Sequence, residues 1–179
     1  MNQSKMHQLQ KMGDWSAIGD MVYEGARSLL KAGAELLLIC SNTTHKVFPF
    51  VHPKIDRPIL HIGDATAKHI LAEGYHKVGF IGTKFTMEND FLLDKIRSYG
   101  IDVQVPEDHS EIQELHRIIH EELTYNKVTA NSKEYVLNVL SRMKDKGAQG
   151  IILGCTEFSL MFEELNQDMP VFDTIDMHA

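Results

Sequence analysis

The chain is poor in the residues that build covalent or metal-stapled folds. Its 179 residues include two cysteines, five prolines and one tryptophan, and aromatic residues reach only 8%. Cys40 and Cys155 stand far apart with no C-x-x-C spacing, which argues against a disulfide framework and a thiolate zinc cluster. No metal is expected. A basic excess is missing as well: 18 Lys+Arg face 25 Asp+Glu, a formal net charge of −7. Binding through nucleic-acid phosphates needs a basic face, so no nucleic-acid partner is expected. Long apolar runs are absent; stretches such as residues 36–40 are strand-sized, far below the roughly 18 residues of a membrane span, so no membrane partner is expected. The opening Met1-Asn2-Gln3-Ser4-Lys5-Met6-His7 has no apolar core of the signal-peptide kind. A cytoplasmic location follows as the expectation.

What is present is the balance of an ordinary globular chain, 43% hydrophobic and 24% charged. Short apolar runs at residues 35–40, 58–62, 77–82, 101–105, 150–154 and 170–173 read as strands. Between them, helical periodicity covers residues 16–32, 64–73, 88–99, 111–125, 132–146 and 158–166. Gly33, Gly74, Gly100 and Gly147 fall just past helix ends, where a left-handed residue commonly stops a helix. Continuous apolar strands, each followed by a helix, predict an α/β fold with parallel sheets flanked by helices.

The sequence also repeats itself. Residues 33–43, Gly-Ala-Glu-Leu-Leu-Leu-Ile-Cys-Ser-Asn-Thr, align with 147–157, Gly-Ala-Gln-Gly-Ile-Ile-Leu-Gly-Cys-Thr-Glu, at an offset of 114. Residues 58–67 align with 170–179 at an offset of 112. Two matches in the same order point to two similar lobes, assigned as 1–64 plus 175–179 for the first and 65–174 for the second. The first copy has fewer residues before its Gly-Ala than the second, so the first lobe is expected to be incomplete, lacking a strand–helix–strand segment and a C-terminal end. An incomplete lobe exposes a sheet edge, which a second copy in a homodimer would cover.

Ligands of parallel α/β sheets collect at the carboxyl ends of strands. Three polar clusters fall there: Cys40-Ser41-Asn42-Thr43-Thr44-His45, Gly82-Thr83-Lys84-Phe85-Thr86 and Gly154-Cys155-Thr156-Glu157. Each suits either helix capping or the holding of a carboxylate by N–H and hydroxyl groups. The repeat equates Cys155 with Ser41, and Cys40 with Gly154. Strand alternation then expects Cys40 in the core and Cys155 facing substrate, with a helix N-terminus lowering its pKa. His116 and His120, four residues apart, are expected on a solvated helical face. Gly82-Thr83-Lys84 lacks the spacing of a P-loop.

These clusters, with Met87 after the second and Asp173-Thr174…His178-Ala179 at the end, resemble in order and spacing the aspartate/glutamate racemase family. Gln10-Lys11-Met12-Gly13-Asp14-Trp15 resembles the segment preceding the first motif in its broad-specificity amino-acid racemase branch. The resemblance implies a cofactor-independent isomerase with two α/β lobes and a site between them. Its chemistry removes and returns the proton α to a carboxylate, one base on each face of a small amino-acid substrate. By the same resemblance Cys155 is the second catalytic cysteine, serving the L-enantiomer, and Ser41 holds the first position. Asn42, Thr43, Thr83, Thr156 and Gln10 would bind the substrate, while Glu157 and His178 orient or tune the thiol. Lys84, Lys127 and Lys133 remain alternatives for reading a side-chain carboxylate. Ser41 in place of a thiol makes the chemistry one-sided. It leaves open a single-cysteine arylmalonate-type decarboxylase, or an inactive carboxylate-binding relative.

Overall fold

The computed structural model describes residues 3–162, 165 and 167–178. The chain folds as two units, Met1–Ile39 with Thr44–His61, and Cys40–Thr43 with Ile62–Ala179. The repeat places its boundaries elsewhere, at residues 64/65 and 174/175.

The smaller unit opens with two helices, α1 (Gln3–Met12) and α2 (Trp15–Lys31). Asp14 starts α2 by accepting the Ala17 N–H at 3.0 Å, which satisfies one of the free N–H groups of a helix start. Helix α1 was not expected from the sequence: it is mostly polar, and among its described side chains only Met6 is buried. Strand β1 is cut to Leu37–Leu38 and pairs in parallel with β2 (Ile59–Leu60). Their connection, for which no element was expected, winds through a 3₁₀ turn (Thr43–Val47), the single helical turn α3 (Phe48–Val51) and a second 3₁₀ turn (His52–Lys54). Ile18, Val22, Leu37, Val47, Val51 and Ile59 form this unit's core.

The larger unit follows the alternation read from sequence. Its elements are α4 (Ile62–Ala72), β3 (Lys77–Gly82), α5 (Lys84–Met87), α6 (Asp90–Arg97), β4 (Asp102–Gln104) and α7 (His109–Arg117). There follow α8 (Ala130–Asp145), β5 (Ile151–Gly154), α9 (Phe158–Phe162) and β6 (Val171–Asp173). The four strands form one parallel sheet in the order β4-β3-β5-β6. The helix expected over 111–125 changes character after α7, into a π turn (Ile118–Glu122) and a 3₁₀ turn (Leu123–Tyr125). The end expected for the 158–166 helix lies partly outside the described residues. Gly33, Gly74, Gly100 and Gly147 all adopt positive φ, between +81° and +94°, as helix-stopping residues do. Phe80, Ile81, Ile151, Ile152, Phe158 and Phe172 stand at the centre of a continuous core.

Candidate active site

Strands β3 and β5 end together, Gly82 paired with Gly154. Glycine is required at both. A Cβ on Gly154 would come within 2.0 Å of the Phe80 ring, and one on Gly82 within 2.6 Å of the Thr86 hydroxyl. This close approach makes Thr83 and Cys155 the next residues out of neighbouring strands.

Hydroxyl and amide groups surround these strand ends. The Thr43 and Thr83 hydroxyls share a hydrogen bond at 3.2 Å, and Thr83 shares another with Thr86 at 3.3 Å. Thr86, which sequence reasoning did not single out, is fully buried and donates to the Thr83 carbonyl at 2.8 Å. Asn42 donates through Nδ2 to Thr174 Oγ1 at 2.8 Å, and Thr174 donates to the Leu153 carbonyl at 2.9 Å. Because the Thr174 proton is committed to that carbonyl, Asn42 must present its NH₂, which fixes the amide orientation. Asn42 Oδ1 is thereby left buried without a hydrogen-bond partner among the described residues. These bonds tie Asn42 and Thr43 into the larger unit.

Two cysteine expectations are corrected, the placing of Cys40 in the core and the lowered pKa of Cys155. Cys40 is exposed and Cys155 is buried. The parity argument needed a strand reaching residue 40, but β1 stops at Leu38, so alternation ends before the cysteine. Cys155 continues a strand buried at every position. Its thiol pKa stands well above the ordinary value, not below it. Burial is the main cause, followed by the charge of Glu157 and the hydrogen bond to its carboxylate. N–H groups of Glu157 and Thr156 favour the thiolate, as a helix start should, but are outweighed. Cys155 Sγ donates to Glu157 Oε2 at 2.9 Å, and Thr156 Oγ1 donates to the same oxygen at 2.7 Å. Burial pushes the half-buried Glu157 carboxyl up, yet these two bonds and the charge of His120 hold it below its usual range.

The remaining expected residues are placed as follows. Ser41 is half-buried in the segment joining β1 to Asn42. His178 is buried, in the turn after β6, its N–H donating to the Ile175 carbonyl at 2.9 Å. Gln10 belongs to the smaller unit, on α1, and enters none of these bonds. Lys127 is exposed and Lys133 half-buried, while Lys84 opens α5 directly after Thr83. His116 and His120 do not lie on a solvated face: both are half-buried, with ring centroids 4.3 Å apart. A periodicity argument misses this because the helix turns to π geometry between them.

A cleft of about 590 Å³ opens elsewhere on this unit, between the end of β4 and α8. Its cations are matched by acids: Lys77 with Asp102 at 3.7 Å, Lys146 with Glu107 at 2.9 Å, and Arg142 with Glu111. Among the described residues no three His, Cys, Asp or Glu side chains gather to hold a metal. Nor is any helix among them long and apolar enough to cross a membrane.

The family model for Asp/Glu/hydantoin racemases matches residues 3–179. Glutamate racemase of Hydrogenobaculum sp. (strain Y04AAS1) is 23% identical over 82% of this chain and 55% of its own length. The broad-specificity amino-acid racemase RacX of Bacillus subtilis (strain 168) is 22% identical over 86% of this chain and 65% of its own. The chain therefore spans less than two thirds of these curated relatives. Among solved structures, a candidate Asp/Glu racemase from Yersinia pestis superimposes with a TM-score of 0.89 at 37% identity, over 99% of this chain and 77% of that one. An aspartate racemase homologue from Pyrococcus horikoshii OT3 gives 0.81 at 35% identity, over 95% of this chain and 74% of that one.

Proposed function

Since the chain belongs to the Asp/Glu/hydantoin racemase family, we propose that it removes and returns the α-proton of an amino acid of the aspartate or glutamate kind, with Cys155 as the working thiol. The observation that carries this reading is the hydrogen bond from Cys155 to Glu157, a protonated thiol beside its own base. In the forward step the Sγ–H bond breaks and its proton passes to Glu157. The thiolate then takes the α-hydrogen, and the electron pair left on Cα spreads into the substrate carboxylate. The Thr43, Thr83 and Thr156 hydroxyls stand at the strand ends, and turning their protons from their present partners toward the substrate carboxylate would stabilise that charge. Asn42 Oδ1, a buried acceptor lacking a donor among the described residues, suits a substrate ammonium.

Only one thiol serves this chemistry. Ser41, standing where the repeat places a second one, is too weak an acid to return a proton as readily. In D₂O the L-amino acid should exchange its α-hydrogen, followed by NMR, faster than it inverts, followed by chiral chromatography. Cys155→Ser should abolish both, and Ser41→Cys should bring inversion toward the exchange rate, each tenfold change representing about 1.4 kcal/mol in the barrier. Exchange surviving Cys155→Ser would overturn the assignment.

A further inference from the structure

Thr174, fully buried, is not among the residues that the proposed chemistry uses, yet it holds one that is. It follows β6, whose last residue, Asp173, is paired with Leu153, so Thr174 stands level with Gly154, one residue before Cys155. Its own segment fixes it there. The Asp173 carboxylate accepts the Ser159 hydroxyl of α9 through one oxygen and the Ile175 N–H, at 2.9 Å, through the other. The Asp173 carbonyl accepts the Met177 N–H at 3.2 Å and closes the turn.

A threonine hydroxyl has one proton. Thr174 gives it to the Leu153 carbonyl at 2.9 Å, which leaves only lone pairs for Asn42. Asn42 Nδ2 donates to them at 2.8 Å. The carboxamide is planar, so a nitrogen held against Thr174 turns Oδ1 the other way. Asn42 is 4% exposed, and this oxygen is buried with no hydrogen-bond partner among the described residues. The neighbouring Thr43 hydroxyl meets Thr83 at the end of β3, so the oxygen belongs to the cluster proposed to hold the substrate. A buried acceptor without a donor is costly, and a ligand that brings an N–H removes that cost. A ligand without one leaves it in place, and such discrimination exceeds what a difference in apolar size alone gives.

We propose that Thr174 is a positioning residue that sets the substrate class: by turning the Asn42 oxygen toward the substrate, it makes the site require an amine on the α-carbon and refuse an acid that carries a methyl group there instead. The inference rests on the racemase reading of the same site and extends it from the atoms that react to the substrates that are admitted.

Isothermal titration calorimetry reads this as a ratio of dissociation constants. L-Aspartate and L-glutamate are each compared with the analogue in which methyl replaces ammonium, 2-methylsuccinate and 2-methylglutarate. The parent should bind the tighter of the two amino acids about ten- to hundredfold better than its analogue. Thr174→Val keeps the shape but frees the amide to turn, and should lower that ratio about tenfold, whereas Thr174→Ser should keep it. Asn42→Leu should lose as much as Thr174→Val, and the double variant no more than either. The assignment would be overturned by a parent ratio near one, by a ratio unchanged in Thr174→Val or lost equally in Thr174→Ser, or by additive losses in the double variant. Should Thr174→Val fail to fold, NMR of the parent decides. The amino acid should shift the Asn42 carboxamide carbon while the NH₂ protons keep their nuclear Overhauser contact with the Thr174 methyl; loss of that contact on binding would overturn the proposal. Discrimination that depends on Thr174, without any deuterium entering an amino acid, would sink the racemase reading and leave the Thr174 assignment standing. α-Exchange with a ratio indifferent to Thr174→Val would do the reverse.

Discussion

The pair β1–β2 and the pair β5–β6 are two outcomes of one pattern. Leu37 pairs with Ile59 and Leu38 with Leu60, while Ile151 pairs with Val171 and Ile152 with Phe172. Shifted by the repeat offsets of 114 and 112, the second register becomes the first. Their surroundings differ. Ile152 and Phe172 are 0% and 1% exposed; Leu38 and Leu60, their counterparts, are 39% and 45% exposed. Strand β5 has β3 on its other side and the large core around it, whereas β1 pairs with β2 alone among the described residues. Equal local pattern has given equal pairing, and the surrounding layers have decided what that pairing buries.

The widest gap between the two pairs should appear on truncation. Phe172→Ala removes a fully buried ring and should cost about 3–5 kcal/mol in urea unfolding, and Ile152→Ala about 2–5. Leu60→Ala and Leu38→Ala, at half-exposed positions, should each cost about 1 kcal/mol or less. Similar losses at matched positions would mean that the small sheet is covered in solution.

A smaller contrast concerns the strand ends. The repeat equates Gly154 with Cys40. Gly154→Ala drives a methyl into the Phe80 ring and should destabilise by about 1–3 kcal/mol. Cys40→Ala changes an exposed side chain and should stay within about 0.5 kcal/mol of the parent. If Gly154→Ala were silent in thermal melts, the close approach of β3, β5 and Phe80 would not be what holds those strand ends.

Periodicity and punctuation made the α/β order legible because the strands of the larger unit are uniformly apolar and its helices stop at glycines. The repeat was legible for the same reason: register is a local property that both copies keep. Side-chain exposure was not. Whether residue 40 or 155 faces solvent depends on how far each strand runs, and that is decided by neighbours far away in sequence. The helical turns over 43–54 were not legible either: they are too short to show a periodicity, and Pro49 and Pro53 each sit at the start of such a turn, where the missing N–H costs nothing. The local order of Asn42, Thr43, Thr83, Thr156 and Glu157 was readable. Bonds such as Asn42 to Thr174, spanning 132 residues, were not.

Acidity tests the larger unit in another way. Burial, with the charges of His120 and Lys84, lowers His116 from 6.5 to about 4. The unfolded chain then takes up this proton first as pH falls. His116 thus leaves stability untouched above about pH 6.5 and erodes it between there and pH 4. His116→Phe should flatten the fall of Tm over that window while leaving the value at pH 8 nearly unchanged. A fall as steep as the parent's would show that the histidine is not the group responsible.

The finest contrast lies between the thiols themselves. Cys40 is exposed, whereas Cys155 is buried and bonded to a carboxylate that disfavours its anion. Alkylation proceeds through the thiolate, so limiting iodoacetamide on the folded protein at pH 8 should mark Cys40 first. Glu157→Gln removes the negative charge beside Cys155 while keeping a group of nearly the same shape. That substitution should raise Cys155 labelling several-fold and leave Cys40 unmoved. It should also slow α-hydrogen exchange, because the amide cannot receive the thiol's proton. A more reactive thiol in a less active site separates the two roles of Glu157, as a charge that holds the proton on sulfur and as the base that takes it away. Were labelling and exchange to rise together, Glu157 would be only a brake on the thiol, and the proton would have to leave Cys155 by another path.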